Sequence, residues 1–463
     1  MTDRREVGVL RIAELGLSAA VCFAVLAFGG TDAFFLVPQL IVLALGALLL
    51  GASLRSTLAS IRLPLTAPLL LVALVLLQIL PLPSSLALSF GAPRDDFLGP
   101  GHFTLSVAPY QTVSHFLQLI TYLIAFYLVL LVCQERNAMR RLVYVLVCLG
   151  AFEALYGLLQ YLTGWQQIFT YVKKYYLEEA TGTYINRNHF AGLLEMVLPF
   201  VVALAFRKAR TLVRAAVRSE VPARSVFSST ELPSVVFWLF LASVIFTALL
   251  FSRSRMGFVA ALASLIAVLT LAGTSQLSAR TRTLTAALFF LGVVGLAVWI
   301  GSDPVITRFE TLGQEYGQTG QNRISIWFDT LKLIYQHPLF GSGLGTFAVA
   351  YPSVQTAFLD LFVDHAHSDY LEVVSELGLP GGILLFGSIL WVLTQAVRHY
   401  PEGEDSFETV VCLGCTGSIT AILVHSLADF NLYIPANALV LAVIIALAWS
   451  VAQNNRTRRV YPS

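Results

Sequence analysis

Apolar residues run through this chain in blocks long enough to cross a bilayer. About 30 Å of hydrocarbon takes about 20 apolar helical residues. Twelve blocks approach that length, near residues 12–30, 33–52, 63–82, 113–133, 142–163, 189–206, 234–251, 256–273, 284–301, 381–397, 408–429 and 436–452. They predict an all-α polytopic membrane protein, one membrane domain over residues 1–463 with about twelve transmembrane helices. Ala27-Phe28-Gly29 loosely resembles a signal cleavage site. The length of the first block, and the second directly behind it, predict a retained helix instead.

Three polar segments between blocks are long enough to carry chemistry: 83–112, 164–188 and 302–380. The first is rich in Gly, Pro and Ser and reads as a loop cover. The second holds Trp165, Phe169, Tyr171, Tyr175, Tyr176 and Tyr184, a density that suits the headgroup level of a membrane. The third is the longest. Within it Ile324, Trp327, Phe328, Leu331 and Ile334 recur at helical spacing before Pro338, which predicts a helix over 323–337. Gly341-Ser-Gly-Leu-Gly345 follows as a flexible turn, and it lacks the preceding strand that a phosphate-binding loop requires. A second short helix is predicted over 367–377, with Tyr370, Leu371, Val374 and Leu377 on one stripe and Asp369, Glu372 and Glu376 on another. Gly378 and Pro380 stop it.

Composition agrees with this layout. The chain is 57% hydrophobic and 12% charged, with a mean hydropathy of +0.76, so no large water-soluble domain is left to place. With both termini on the cytoplasmic side, the inner segments carry 20 of the 29 basic residues, a bias that sets the orientation. The basic run from Arg207 to Arg224 then anchors the chain at the anionic inner leaflet and is no nucleic-acid site. All five cysteines lie in apolar blocks, and Cys412-x-x-Cys415 reads as helix packing rather than a redox pair.

Candidate chemistry gathers on the predicted outer face. His367 sits at the start of the second short helix, over its apolar stripe and away from bulk solvent, where an imidazole can act as a neutral base. Arg253 and Arg255 flank Ser254 at the turn between the seventh and eighth helices, and Arg323 opens the first short helix. Fixed guanidiniums suit a diphosphate, because the planar fork matches phosphate oxygens and stays charged; Arg308 is a further candidate. Asn186, Asn188 and His189 are set either to cap the sixth helix or to line a polar pocket facing Arg187. Glu153, Glu195 and the i, i+4 pair His425 and Asp429 are ionisable groups within apolar blocks. No metal site is expected. The chain has no Asp-x-Asp, and Asp364, His365, His367 and Asp369 at i, i+2 spacing diverge on a helix.

His367-Ser368, nine residues, Gly378, two residues and Gly381 resemble the His-Asn/Ser/Gln, Gly-x-x-Gly signature of bacterial O-antigen ligases. Gly-Thr-Tyr-x-Asn-x-Asn-His at 182–189, Ser-Arg-x-Gly at 254–257, Arg-x-x-x-Trp at 323–327 and the Gly-x-Gly turn extend the likeness over residues 180–440 to the wider O-antigen ligase and polymerase superfamily. The resemblance implies a GT-C-like helical transferase of the bacterial inner membrane with a large helical periplasmic loop between helices 9 and 10. It implies a glycan carried on undecaprenyl diphosphate as donor, and a lipid A core or a second lipid-linked repeat unit as acceptor. It also implies metal-independent chemistry with no cofactor. His367 would be the general base, and Arg255 and Arg323 the diphosphate ligands, with Arg253 and Arg308 beside them. A polysaccharide polymerase of the same fold and a non-enzymatic transporter of the lipid-linked glycan are the rival readings.

Overall fold

The computed structural model describes residues 4–51, 64–83, 85, 102–218, 231–273, 321–356, 362–401 and 406–460. Eleven of the twelve apolar blocks lie on helices; the ninth, 284–301, falls outside the described residues, as does Arg308. The helices are α1 (Arg4–Leu26), α2 (Asp32–Gly51), α3 (Thr66–Ile79), α4 (Pro109–Val132), α5 (Arg136–Thr163), α6 (Arg187–Arg218), α7 (Leu232–Phe251), α8 (Arg255–Gly273), α9 (Gln321–Gln336), α10 (Phe347–Ala350), α11 (Asp369–Arg398), α12 (Phe407–His425) and α13 (Pro435–Val460). Among the described residues nine are long and apolar enough to cross a membrane, and Phe34–Leu50 and Thr66–Ile79 are shorter apolar helices. The strands are two short antiparallel pairs, β1 (Leu82–Pro83) with β2 (His102–Phe103) and β3 (Gln167–Ile168) with β4 (Tyr171–Val172).

α6 is the axis of the bundle. Every residue from His189 to Ala205 is buried, and α5, α7, α8 and α12 pack around it. In a bilayer, close backbone approach through small residues takes over from hydrophobic exclusion as the means of packing helices. Gly414 of α12 shows why: a Cβ there would run into the Phe200 ring of α6.

The connections predicted to share one side do converge at one end of the bundle. Gly29 accepts from the Ala436 amide, Ala180 donates to Phe251, and Thr183 Oγ1 reaches the Val25 carbonyl at 3.0 Å. At the opposite end Arg141 forks onto Glu14 at 2.5 and 2.7 Å, with Arg11 on the same carboxylate at 2.9 Å. These are fixed charge pairs on arginines that the charge bias assigns to the inner face.

One local expectation is met and one needs correction. Gly378 does stop the short helix: at φ 71°, ψ 174° it is a non-helical break inside α11, so residues 369–377 and the helix of the tenth apolar block are two helices joined across a kink. Gly378 is required because a Cβ would collide with the Leu339 backbone. The 341–345 turn is not a loose hinge. Gly341, Gly343 and Gly345 hold φ of 69°, 114° and 75°, and the Ser342 and Gly343 amides donate to the Ser375 and Glu376 carbonyls at 2.9 and 3.1 Å.

Candidate active site

The carboxylate stripe of α11 is buried, and each of its members ties down a different piece of chain. Asp369 accepts from Ser426 Oγ at 2.7 Å and from the Leu432 amide at 3.0 Å, while its own amide donates to the Ser426 and Asp429 carbonyls. Glu372 accepts from His365 Nδ1 at 2.6 Å and from the Ala366 amide at 2.8 Å. Glu376 takes the Gly345 and Phe347 amides at 2.8 and 2.9 Å and the Tyr433 hydroxyl at 2.7 Å. Buried carboxylates are tolerated where donors saturate them, and here the donors come from two loops distant in sequence, 345–347 and 426–433, and from the strap just before the helix.

α9 closes the site from the other side. Trp327 Nε1 donates to the Ala366 carbonyl at 3.0 Å, and Arg323 Nη1 donates to the Ala428 carbonyl at 3.0 Å. The first short helix is therefore clamped to both the 365–367 strap and the 426–432 turn. Asp329 secures its far side, accepting from the Thr356 amide and hydroxyl at 2.9 and 2.8 Å and pairing with Lys332 at 2.8 Å.

Held by these clamps, His367 lies just before α11 in a left-handed conformation, φ 52°. The expectation that it rides over Tyr370 and Leu371 is corrected: its ring meets Phe430 edge-on at 5.3 Å. Neither ring nitrogen hydrogen-bonds a described residue, and Nδ1 is buried. Burial, with the positive charge of Arg323 next to it, pushes the His367 imidazole down to about 4, so it is neutral at physiological pH. His365 is the opposite case. Burial works against its charged form, but the Glu372 carboxylate prevails and holds it up at about 9. Its ring stacks on Phe430 at 4.0 Å and 13°.

Phe430 is thus a hub, with His189 on a further edge at 4.8 Å. His189 Nε2 and His425 Nε2 each stand 3.9 Å from an Asp429 carboxylate oxygen, and neither nitrogen has a hydrogen-bond partner among the described residues. His425 Nδ1 is fixed by Glu195 of α6 at 2.9 Å, deep in the bundle. Burial would push the Asp429 carboxyl up, but His425, His189 and Arg323 around it hold it below its ordinary value. α12 ends at His425, so Asp429 lies in the following turn and not on the same helix as expected.

The structure brings His367, Arg323, His189, His425 and Asp429 together. Asn186 caps α6, its Oδ1 accepting the Asn188 amide at 2.9 Å. Asn188 is half-buried on the first turn, and Arg187 pairs with Glu179 at 2.6 Å. Arg253 sits at φ 55° and pairs with Glu178 at 3.3 Å; Arg255 opens α8, whose Gly257 packs against Ala191 of α6. Of the aromatic segment, Tyr175 is exposed as a headgroup-level residue should be. Tyr184 is not: it is buried and its hydroxyl donates to Asn437 Oδ1 at 2.9 Å. Asn437 in turn donates to the His189 carbonyl at 2.9 Å. Sequence reasoning missed Phe430, and nothing in its spacing marks it.

A family model described as O-antigen ligase matches residues 238–386. That span contains the Ser-Arg-x-Gly turn, the α9 Arg-x-x-x-Trp, the Gly-x-Gly turn and the His367 motif with its two glycines. This stretch of the chain is similar to the O-antigen ligase family, and the match supports the O-antigen ligase and polymerase superfamily. No curated protein matches the chain. The match supports a ligase- or polymerase-type function in general, and the apolar helices point to a multi-pass membrane protein.

Proposed function

We propose that the protein is an O-antigen ligase-like transferase of the bacterial inner membrane. It moves a glycan from undecaprenyl diphosphate to a hydroxyl of a lipid A core on the periplasmic face, inverts the anomeric configuration and uses no metal ion. The observation that carries this reading is His367: a neutral imidazole, free of hydrogen bonds to the described residues, set in a left-handed turn beside the Arg323 charge.

In the proposed step the acceptor oxygen attacks the anomeric carbon while His367 takes its proton, and the bond from that carbon to the sugar-side phosphate oxygen breaks. The departing diphosphate keeps the electron pair. Arg255 and Arg323 stabilise its growing charge, with Arg253 and Arg308 as further ligands. Asp429, with His189 and His425 against it, lies beside this centre and keeps a compensating negative charge near the imidazolium that forms. Arg187, Asn186 and Asn188, at the start of α6 beside His189, are further candidates for holding the donor.

Proteoliposomes given one defined undecaprenyl-diphosphate glycan, with either a lipid A core or a second lipid-linked repeat, test the assignment in EDTA. Product on the lipid A core is expected. Chain growth on the second repeat alone would make the protein a polymerase. Labelled lipid crossing the bilayer without either product would make it a transporter.

The pH profile tests the base. With its folded value near 4, below the ordinary 6.5, His367 stays unprotonated until the pH falls towards 4. The acid limb of kcat/KM, which reports the free enzyme, is expected near 4, and Arg323→Gln should move it upward by removing a positive neighbour. A limb at 6.5 that ignores Arg323 would assign the proton to another group.

A further inference from the structure

Among the described residues, five other than glycine hold a positive φ: Phe28, Phe169, Tyr176, Arg253 and His367. For a bulky side chain this is an outlier, and such conformations gather where surrounding structure forces them, typically at functional sites. His367 and Arg253 are already candidate site residues. Tyr176 is not.

Tyr176 belongs to the loop between β4 and α6, and its ring is fixed from above. The Arg187 guanidinium lies 5.3 Å over the ring centroid, itself pinned by Glu179 at 2.6 Å. A cation over a tyrosine face is attracted by the ring quadrupole, so ring and guanidinium form one unit. The hydroxyl is close enough to Arg187, Asp429, Glu179 and Arg323 for their charges to act on it. These residues come from four segments: α6, the 426–432 turn, the loop itself and α9. Tyr176 is half-buried, and its hydroxyl makes no hydrogen bond to any described residue. A phenol O–H on a ring that lies under one guanidinium and within reach of a second charge, with no hydrogen-bond partner among the described residues, is arranged to donate to an anion that the same guanidiniums attract.

We propose that Tyr176 binds the donor, its hydroxyl donating to a non-bridging oxygen of the sugar-side phosphate of the lipid diphosphate. The assignment rests on the transferase reading. It selects the sugar-side phosphate because that group must lie against the anomeric carbon, and Arg323 and Asp429, which flank His367, are also the charges near Tyr176. Tyr176 thereby distinguishes a lipid diphosphate from a lipid monophosphate, which has no phosphate at that position. The left-handed turn accompanies the placement of the ring under Arg187.

The test is Tyr176→Phe, which keeps the ring under Arg187 and removes only the oxygen. Direct binding of undecaprenyl diphosphate and of undecaprenyl monophosphate is measured on the purified full chain, beside its thermal unfolding. Loss of one hydrogen bond to a charged group predicts a diphosphate Kd weakened about tenfold or more, with the monophosphate Kd and the unfolding temperature unchanged. Wild-type diphosphate affinity in the variant would overturn the proposal and leave Tyr176 as a brace for Arg187. Equal weakening for both lipids would overturn it too, since the contact would then be to the phosphate they share. Failure of the wild-type chain to bind the diphosphate lipid at all would instead sink the transferase reading on which the proposal rests.

Discussion

Replacing His367 by asparagine is expected to lower kcat/KM by about 10²–10⁴-fold, the usual contribution of a positioned general base, without lowering the unfolding temperature. Asparagine is the informative choice. It tolerates the left-handed conformation that His367 occupies at φ 52°, because its short polar side chain is compatible with that region, but it has no nitrogen able to accept a proton. The loss can then be assigned to chemistry and not to a disturbed turn. His367→Gly sharpens the comparison. It relieves the backbone strain and should be as inactive as asparagine while being more stable by roughly 1 kcal/mol or less after the entropic cost of glycine. Initial rates of transfer and thermal unfolding of the same preparations decide it. An asparagine variant within tenfold of wild type would remove His367 from the base role.

Glu376→Ala should bring the largest loss of stability among the described positions. The carboxylate saturates two amides, of Gly345 and Phe347, and the Tyr433 hydroxyl, all at 2.7–2.9 Å. Truncation strands three donors in the interior, and at about 1–3 kcal/mol for each the total is about 3 kcal/mol or more. Glu376→Gln keeps one acceptor oxygen but turns an amide towards the donors, so an intermediate loss is expected. The measurement is thermal unfolding of the purified chain, with protease cutting within 341–347 as a local probe. An alanine variant that melts with the wild type and resists cutting there would show that the loop is held by its glycines alone.

The sequence carried the helices well, and for a plain reason: apolar blocks near 20 residues long have few alternatives in a bilayer. It also marked Gly378, since a glycine followed at once by Leu-Pro disturbs a helix whatever surrounds it, and the helix is broken there. The three carboxylates of α11 were less legible. Periodicity separates their stripe from that of Tyr370 and Leu371, but it does not say which stripe faces inward. The partners that permit burial, Leu432, Gly345, Phe347 and Ser426, are far away in the chain. The same limit explains the Gly341–Gly345 turn, which looks loose on its own and is fixed only by contact with α11.

At the site, His367, Arg323, His189, His425 and Asp429 stood out because ionisable groups next to apolar blocks are rare. Their common hub did not. Phe430 is one of 31 phenylalanines, and only the tertiary structure shows three imidazoles packed on its ring. Tyr176 was hidden differently. Its neighbours made it one more interfacial aromatic, and a left-handed tyrosine cannot be read from residue type.

The break at Gly378 divides α11 into a short arm, 369–377, and a helix over 379–398, whose 20 residues give about 30 Å, the thickness of the hydrocarbon. The second piece alone is long enough to cross a bilayer, and the short arm with His367 at its start is left over. Under the proposed transferase reading, that arm sets the height of the reactive turn above the acyl chains. A glycan carried on a membrane-anchored diphosphate offers its anomeric carbon at a constant elevation, so donor and imidazole meet by lateral diffusion in two dimensions. The same glycan diphosphate cut free of its lipid would have to find that height from open solution.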